Sequence, residues 1–304
     1  MGTGCDMRFF VTGVNGQLGA DVMRELAGRG HEAAGSDIAA DAACPEGTSY
    51  YSLDITDKEA VKKTVTAANP DVVIHCAAWT AVDMAEDDDK ADTVRKVNAA
   101  GTENIAEVCR DLGCAMVYIS TDYVFKGTGE TPWDPDCRDF CPLNFYGLTK
   151  LEGEEAVRRN LDKYFIVRTA WVFGLNGNNF IKTMINAGKK HDTVRVVNDQ
   201  IGTPTYTKDL ARLLVDMCET DKYGYYHATN EGGYISWYDF CVEIYRQYGL
   251  DTKVIPVSTE EYGLSKAARP RNSRLDRSKL AKEGFKPLPG WKDAVARYLK
   301  EADL

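Results

Sequence analysis

The sequence predicts an α/β fold in which a doubly wound parallel sheet carries a smaller, interleaved C-terminal region. Three observations support this fold class. Short apolar runs alternate with helix-like stretches through the first half of the chain, as they do where helices join parallel strands. The run at 71–75 is apolar rather than alternating, which is expected of a strand covered by helices on both faces. A glycine-rich turn also joins the first predicted strand to the first helix.

The predicted elements follow in order along the chain. Strands are predicted at 8–12, 31–37, 50–53, 71–75, 115–121, 164–168 and 194–197, and helices at 17–30, 93–112, 143–159, 178–190, 207–219, 236–248 and 290–301. Residues 1–172 are predicted to form the first domain, with 197–228 packing back onto it. Residues 229–304 are predicted to form the second region, to which 173–196 contribute.

The composition of the 304-residue chain excludes several classes of protein. No window approaches the roughly 18 apolar residues of a membrane helix, and the N-terminus lacks the pattern of a secretory signal. The formal net charge of −9 disfavours a nucleic-acid partner. The nine cysteines show no spacing suited to zinc, which favours free thiols. We therefore expect a soluble, cytoplasmic protein with no bound metal and no membrane or nucleic-acid partner.

The turn after the first strand has the pattern of a phosphate-binding loop. Its glycines permit a tight turn, a close approach of the backbone to a pyrophosphate, and close packing of helix against strand. Amide groups at the helix N-terminus then face the anion. This pattern predicts a Rossmann-type dinucleotide site, whose loop residues are Gly13, Asn15, Gly16, Gln17, Leu18 and Gly19.

Acidic residues after the second and third strands predict the contacts of the adenosine half of the dinucleotide. Asp37, followed by Ile38, stands where a carboxylate accepts hydrogen bonds from ribose hydroxyls. No Lys or Arg between residues 29 and 58 could pair with a 2′-phosphate, so the sequence favours NADH over NADPH. Asp54 and Ile55 are predicted to hold the adenine, although Asp54 also fits the N-cap of the next helix.

The chemistry is predicted at a Tyr-x-x-x-Lys pair on a helix. Tyr146 and Lys150 are four residues apart and therefore share one helix face. An adjacent ammonium favours the phenolate, so we expect Lys150 to lower the pKa of Tyr146. Thr121 ends a predicted parallel strand, at the sheet edge where open α/β sheets bind ligands. We expect these three side chains to meet.

The chain resembles the extended short-chain dehydrogenase/reductases and, among them, the dTDP-4-dehydrorhamnose reductase family. The resemblance is collinear between residues 8 and 278. It is carried by the segments TGVNGQLG, PDVVIHCAAWTAVDMAE, YISTDYVFKGTG, PLNFYGLTKLEGE, VRTAWVFG, DQIGTPTYTKDLA and RPRNSRLD.

The resemblance implies a reaction and a set of contacts. Its catalytic Thr, Tyr and Lys fall on Thr121, Tyr146 and Lys150, and the implied reaction is hydride transfer from NADH or NADPH to C4 of a nucleotide-linked 4-keto-6-deoxy sugar. It further implies that Ala77, Ala78 and Thr80 line the dinucleotide. The substrate contacts that it implies are Thr121, Asp122, Tyr123, Trp171, Arg269 and Arg271.

Other interpretations remain open at this stage. A sugar-nucleotide epimerase or 4,6-dehydratase shares the glycine loop and the Tyr-Lys pair, although Tyr123 is a poor general acid where a dehydratase needs one. The regulatory subunit of methionine adenosyltransferase resembles the same family without being an enzyme. For the basic run at 264–282, a solvated helix face and contact with an anionic ligand are equally open. The oligomeric state, a homodimer included, is also open.

Overall fold

The computed structural model describes residues 7–304. The strands in this part of the chain are β1 (Arg8–Thr12), β2 (Glu32–Asp37), β3 (Ser49–Ser52), β4 (Val72–His75), β5 (Ala115–Thr121), β6 (Tyr164–Thr169), β7 (Val172–Phe173), β8 (Thr193–Val197), β9 (Ile201–Gly202), β10 (Thr205–Tyr206), β11 (Gly224–His227), β12 (Ile235–Ser236) and β13 (Lys253–Val257). The helices are α1 (Gln17–Arg29), α2 (Lys58–Ala68), α3 (Ala91–Arg95), α4 (Thr102–Leu112), α5 (Phe145–Asn160), α6 (Phe180–Gly188), α7 (Thr207–Cys218), α8 (Trp237–Tyr248), α9 (Thr259–Tyr262), α10 (Ser278–Lys282) and α11 (Trp291–Glu301).

A seven-stranded sheet of parallel strands forms the centre of the fold. Its strand order is β11-β6-β5-β4-β1-β2-β3, and each neighbouring pair is parallel. The chain builds outward from β1 to β3 and then crosses to the other side of β1 to form β4. Such a reversal opens a crevice at the carboxyl ends of the strands, where open α/β sheets bind ligands.

Helices cover both faces of this sheet, as alternate residues of β1 show. Phe9 and Val11 are buried in one apolar cluster with side chains of α1 and α7. Phe10, between them in sequence, lies in a second cluster with side chains of α2 and α4. Successive side chains of a strand point to opposite faces, so the sheet is doubly wound and the predicted fold class is confirmed. Within residues 7–304, no helix has the length and apolarity that crossing a bilayer requires.

A smaller region packs around a third apolar cluster made by α6, α8 and α11. Its fully buried side chains include Phe173, Ile181, Phe240 and Tyr298. Beside it, β8 and β13 pair in parallel although about sixty residues separate them in sequence. The chain also returns to the large sheet, because Leu280, Phe285 and Leu288 are buried in the first cluster. The C-terminal region is therefore interleaved with the sheet domain, as predicted.

Two glycines of the β1–α1 turn allow the backbone to pass closer to its neighbours than a side chain would permit. Gly13 has a φ of 71°, and a Cβ atom there would lie 2.6 Å from the backbone nitrogen of Ala77. A Cβ atom on Gly19 would lie 2.2 Å from the carbonyl oxygen of Gly13. Both neighbours are backbone atoms and cannot move aside cheaply. The turn, β4 and the start of α1 can therefore approach each other only with glycine at these positions.

Replacing Gly13 by alanine should destabilise the protein more than the same change at Gly113. Gly113 also has a φ of 71°, but a Cβ atom there would have no neighbour within 4 Å. We expect Gly113→Ala to lower the free energy of unfolding by about 1 kcal/mol, from backbone strain alone, and Gly13→Ala by about 3 kcal/mol. Urea denaturation measures both. Equal losses would show that the contact with Ala77 is unimportant.

Candidate active site

The carboxyl ends of β1, β4 and β5 form the floor of a crevice at the point where the strand order reverses. The Thr12 hydroxyl lies 2.7 Å from Nδ1 of His75 and accepts a hydrogen bond from the Ala77 backbone N–H at 3.1 Å. Nε2 of His75 lies 3.1 Å from the Thr102 hydroxyl. Burial lowers the pKa of His75 to about 3, so the imidazole is neutral and acts as a buried spacer between two threonines.

The glycine loop lies above this floor, but two of its predicted contact residues turn their side chains away. The Oε1 atom of Gln17 accepts hydrogen bonds from the Gly174 backbone N–H at 2.8 Å and from Asn179 at 3.2 Å. Leu18 is buried in the first apolar cluster. These two residues can offer only their backbone N–H groups to an anion at the start of α1, whereas Asn15 and Gly16 are exposed.

The predicted adenosine contacts lie at the ends of β2 and β3. Asp37 accepts a hydrogen bond from the Asn15 backbone N–H at 3.1 Å, and the Ile38 side chain beside it is 72% exposed. The N-cap of α2 is Asp57, not Asp54, whose Oδ1 accepts hydrogen bonds from Thr56 instead. Ile55 does not face the solvent. It is buried in the second apolar cluster.

Beyond β4, the segment with Ala77, Ala78 and Thr80 runs along the same crevice. Asn98 fastens this segment, because its Oδ1 atom accepts from the Trp79 backbone N–H at 2.8 Å. Its amide nitrogen donates to the Thr149 hydroxyl on α5 at 3.1 Å. Asn98 lies in a π-helical turn, Lys96–Gly101, which joins α3 to α4. Such turns often occur at functional sites, and nothing in the sequence pattern singled this residue out.

The structure brings Thr121, Tyr146 and Lys150 to one side of the crevice. Thr121 ends β5, and the other two lie one turn apart on α5. The helix can come this close because of Gly147, where a Cβ atom would lie 2.4 Å from the carbonyl oxygen of Tyr123. The ring of Tyr123 meets the ring of Tyr146 edge-on, with 5.8 Å between centroids.

Burial is the largest influence on the pKa values of Tyr146 and Lys150. Removal from water raises the pKa of the Tyr146 phenol, the Asp122 carboxylate raises it further, and the Thr121 hydroxyl lowers it. This direction is the reverse of the lowering by Lys150 that the sequence spacing led us to expect. Desolvation lowers the pKa of Lys150 itself to about 7, against the opposing charge of Glu154. The ammonium lies 4.2 Å from the ring centroid of Tyr118, a cation–π contact.

Asp122 is a buried carboxylate with unused hydrogen-bonding capacity. Its Oδ1 atom accepts from the Thr121 hydroxyl at 3.0 Å, and Oδ2 has no hydrogen-bond partner among residues 7–304. The Ser273 hydroxyl is close enough to lower the pKa of Asp122 but makes no well-formed bond to Oδ2. Desolvation prevails and raises this pKa to about 6. A buried carboxylate oxygen without a donor is costly, so Asp122 is ready to accept from a ligand.

The other predicted substrate contacts lie in two loops, Trp171 between β6 and β7 and the two arginines between α9 and α10. Trp171 has a φ of 52°, which is unusual for a non-glycine residue, and its ring stacks on Trp237 at 3.8 Å. Arg269 forms a bidentate pair with Asp83, at 3.0 and 2.7 Å. Arg271 is exposed and contacts Glu260 at 2.8 Å. Both guanidinium groups are therefore paired with carboxylates of the chain itself.

Two further residues at the start of α5 did not emerge from the sequence. Asn144 is the N-cap of α5, and its Oδ1 atom accepts from the Gly147 backbone N–H at 2.8 Å. Glu86 accepts from the Phe145 backbone N–H at 2.7 Å. The preference of Asn for N-caps could have identified Asn144, whereas Glu86 is distant in sequence and gave no signal. Within residues 7–304, no group of three or more His, Cys, Asp or Glu side chains is arranged to hold a metal ion.

Asp122→Asn should make the protein more stable at neutral pH. Because the folded pKa of about 6 lies above the ordinary value of 3.8, the native state binds this proton more tightly, and the free energy of unfolding falls as pH rises from 3.8 to about 6. This pKa shift means that the ionised Asp122 lowers the free energy of unfolding at neutral pH by about 3 kcal/mol. An asparagine removes that charge, but its buried amide lacks a full set of hydrogen-bond partners, which costs about 1–2 kcal/mol.

We therefore expect Asp122→Asn to raise the free energy of unfolding by about 1 kcal/mol at pH 7 and to give no such increase at acidic pH. Urea denaturation at the two pH values measures both. The control is Asp251→Asn, which removes an exposed carboxylate. A gain that persists below the pKa range of Asp122, or the same gain in the control, would contradict this assignment.

Comparisons with known proteins agree with this geometry. The sequence model of the RmlD substrate binding domain matches residues 7–304. A dTDP-4-dehydrorhamnose reductase of Streptomyces griseus is 40% identical, with 95% of this chain and 91% of the relative aligned. The crystal structure of a dTDP-4-dehydrorhamnose reductase from Clostridium acetobutylicum is 42% identical, with a TM-score of 0.89, and covers 98% of this chain and 100% of its own.

A second solved relative carries a bound dinucleotide. It is the dTDP-4-dehydrorhamnose reductase of Bacillus anthracis in complex with NADP, which is 39% identical with a TM-score of 0.88 and covers 97% of this chain and 99% of its own. Sequence and structure agree over almost the full length in each comparison. The chain belongs to the dTDP-4-dehydrorhamnose reductase family.

Proposed function

We propose that this chain reduces the C4 ketone of a nucleotide-linked 4-keto-6-deoxy sugar, converting dTDP-4-dehydro-L-rhamnose to dTDP-L-rhamnose with NADH or NADPH. One observation carries the proposal. The Thr121 hydroxyl, at the end of β5, is close enough to Tyr146 on α5 to lower its pKa, and Lys150 follows one turn later; the glycine loop follows β1 at the same edge of the sheet. The names of the relatives and the NADP bound to one of them supply the substrate and the cofactor class.

The residues of the crevice fit a dinucleotide. At Gly13 and Gly19 the space that a side chain would fill is already taken by backbone. The N–H groups of Gly13 and Gly16 bond carbonyls of the chain itself, so the backbone N–H groups at the start of α1 are the ones left for an anion. We propose that Asp37, which bonds the Asn15 backbone N–H of the glycine loop, also accepts from ribose hydroxyls. The exposed side chain of Ile38 would then offer an apolar surface to a base. When bound, the reduced nicotinamide supplies the hydride. We propose that Lys150 holds the nicotinamide ribose, and that Ala77, Ala78 and Thr80 line the remainder of the cofactor.

Tyr146 acts as the proton donor in this proposal. A reduction requires a proton at the carbonyl oxygen, and the raised pKa of Tyr146 keeps its phenol protonated until that oxygen becomes basic. We propose that the Thr121 hydroxyl, whose single proton bonds Asp122 Oδ1 in this structure, turns to donate a second hydrogen bond to the same oxygen and stabilises its developing charge. The Lys150 ammonium faces the Tyr118 ring, one turn from Tyr146, where its charge favours the phenolate that remains after proton transfer.

The sugar nucleotide occupies the other half of the crevice. We propose that the unpartnered Oδ2 of Asp122 accepts from a sugar hydroxyl, and that Tyr123 and Trp171 form apolar walls. Arg269 and Arg271 border the diphosphate. Because Asp83 already neutralises Arg269, this arginine contributes a positioned hydrogen-bond donor more than a free charge.

The proposal is tested by adding dTDP-4-dehydro-L-rhamnose, generated in place by upstream enzymes, to purified protein with NADH or NADPH. Loss of the absorbance of the reduced cofactor that depends on the sugar supports it. Protein that binds the dinucleotide but oxidises neither cofactor with this sugar would refute the assigned reaction. A parallel assay with the C5 epimer of the sugar tests whether the site selects the configuration at that carbon.

Tyr146→Phe should lower kcat by at least about a hundredfold, because the substrate oxygen loses its proton donor. Binding of the dinucleotide should stay close to that of the parent. Lys150→Ala should lower kcat and also weaken cofactor binding about tenfold. Tyr245→Phe is the matched control, since it removes a tyrosine hydroxyl that bonds the Met184 carbonyl far from the crevice. Undiminished turnover in Tyr146→Phe would exclude it as the proton donor.

The chain should prefer NADH. The Asp37 carboxylate would repel a 2′-phosphate, so we expect kcat/KM for NADH to exceed that for NADPH by about tenfold, or about 1.4 kcal/mol. Asp37→Asn should bring the two values close to parity. Asp41→Asn removes a neighbouring carboxylate whose backbone, not its side chain, bonds Asn15, and should leave the preference intact. A parent enzyme that prefers NADPH would show that Asp37 does not decide the choice.

We also propose a cytoplasmic location and a homodimer. The cysteines among residues 7–304 are all free thiols, which suits a reducing compartment, and the reaction consumes a reduced nicotinamide cofactor. Fractionation of cells and light scattering of the purified protein test the two proposals separately.

A further inference from the structure

The stretch 266–273, here called the basic segment, is fastened to the rest of the protein at both of its ends. At its C-terminal end, the Asn272 backbone N–H donates to the Gly127 carbonyl at 2.9 Å. The Ser273 backbone N–H donates to the Ile201 carbonyl at 2.8 Å. Pro270 packs so closely on Gly127 that a Cβ atom on this glycine would lie 2.3 Å from its ring. The segment is therefore held against the loop that follows β5.

At its N-terminal end, the basic segment is joined directly to the start of α5 by the Asn144 side chain. Asn144 is 7% exposed. Its Oδ1 atom accepts from the Gly147 backbone N–H at 2.8 Å, and its Nδ2 atom donates to the Ala268 carbonyl at 2.8 Å. The partners fix the orientation of the amide, because an N–H group faces the oxygen and a carbonyl faces the nitrogen. One residue therefore caps the helix that carries Tyr146 and also holds the backbone of the basic segment.

A second bridge runs in parallel through the 3₁₀ turn at Met84–Glu86. Glu86 accepts from the Phe145 backbone N–H at 2.7 Å, at the start of α5. Asp83, just before the turn, accepts from the Ala267 backbone N–H at 3.0 Å and pairs with Arg269. The same two parts of the molecule, the start of α5 and the basic segment, are thus linked directly by Asn144 and also through the turn at Met84–Glu86.

We propose that Asn144 is a positioning residue that sets the place of the basic segment relative to Tyr146. The inference rests on the proposed function, in which the basic segment borders the diphosphate while Tyr146 meets the carbonyl oxygen. A sugar nucleotide must reach both points at once, and its reactivity depends on the distance between them. The side-chain hydrogen bonds of Asn144 go to backbone groups of Gly147 and Ala268, and none goes to Tyr146 or Lys150. It acts by keeping the two binding elements at one separation.

Substitutions at Asn144 can separate its two hydrogen bonds. In Asn144→Ser the hydroxyl can still accept from the Gly147 N–H, because serine is a good N-cap residue, but it is too short to reach the Ala268 carbonyl. Asn144→Ala loses both bonds. The difference between the two variants isolates the helix cap, and the difference between Asn144→Ser and the parent isolates the tether to the basic segment.

Steady-state kinetics should distinguish the two variants by their effects on KM and on kcat. We expect Asn144→Ser to raise KM for the sugar nucleotide about fivefold to tenfold, the effect of one lost hydrogen bond and a less ordered segment. Its kcat should stay within about twofold and its Kd for NADH should be unchanged, because the helix cap is intact. Asn144→Ala should raise KM similarly and also lower kcat, because the first turn of α5 frays next to Tyr146.

Hydrogen exchange gives a readout that does not depend on turnover. In Asn144→Ser, the basic segment loses its bond at the Ala268 carbonyl and opens more often, so the neighbouring Ala267 amide, which bonds Asp83 in the closed segment, should exchange about tenfold faster. The Gly147 amide should exchange as in the parent. In Asn144→Ala both amides should exchange faster. Asp57→Ala is the matched control, because it removes the cap of α2, which accepts from the Ala60 N–H at 3.0 Å. It should accelerate exchange near Ala60 and leave KM for the sugar nucleotide unchanged.

The experiments distinguish a failure of the proposed reductase function from a failure of the proposed role of Asn144. A parent protein that oxidises no cofactor with the sugar overturns the proposed function, while the exchange of Ala267 and Gly147 still tests the tether. A parent that turns over, together with Asn144→Ser that matches it in KM and in Ala267 exchange, overturns the role of Asn144. If Asn144→Ser lowers kcat as much as Asn144→Ala does, Asn144 acts through the stability of the helix alone, and its proposed positioning role is also overturned.

Discussion

The reversal of strand order beside β1 is the constraint on which the rest of the structure depends. Because β2 and β3 lie on one side of β1 and β4 to β6 on the other, the loops that follow these strands diverge and leave a crevice. The glycine loop enters it from β1, the segment with Ala77 from β4, and Thr121 from β5. None of these residues is close to another in sequence. Their meeting follows from the parallel sheet, whose carboxyl ends lie along one edge.

Several features of the crevice lower the free energy of unfolding, and the apolar clusters around it offset this loss. Asp122 is buried with one oxygen unpartnered, and Trp171 has a backbone conformation that favours glycine. The Tyr146 phenol and the Lys150 ammonium are both desolvated. Such features reduce the free energy of unfolding and are retained where a ligand uses them. Extensive burial on both faces of the sheet makes this local cost tolerable.

The sequence predicted best what depends on local pattern. The strands at 8–12 and 164–168 and the helices around Tyr146 and Leu210 lie within a few residues of their predicted bounds, because their periodicity reflects burial on one face or two. The glycine turn was equally visible, since its constraint is steric and local. The collinear segments of the family then indicated which residues should meet.

What the sequence could not predict depends on contacts between distant residues. The pairing of Arg269 with Asp83 joins positions 186 residues apart, and the inward turn of Gln17 depends on Gly174. The expected lowering of the Tyr146 pKa considered one neighbour, whereas burial by the whole fold decides the direction. Asn144 illustrates the difference. Its role as the N-cap of α5 is local and can be predicted from sequence, whereas its bond to Ala268 joins distant residues and cannot.

The central claim, that the crevice holds a dinucleotide and a keto sugar with Tyr146 between them, is tested most directly by following the hydride. The protein is given the 4-keto sugar nucleotide and a reduced cofactor that carries deuterium at its transferable position, and NMR locates the label. We predict deuterium at C4 of the product, in proportion to the cofactor oxidised, and labelling at least about a hundredfold slower when Tyr146 is phenylalanine. Sugar altered without net oxidation of the cofactor, or product without deuterium at C4, would contradict the account.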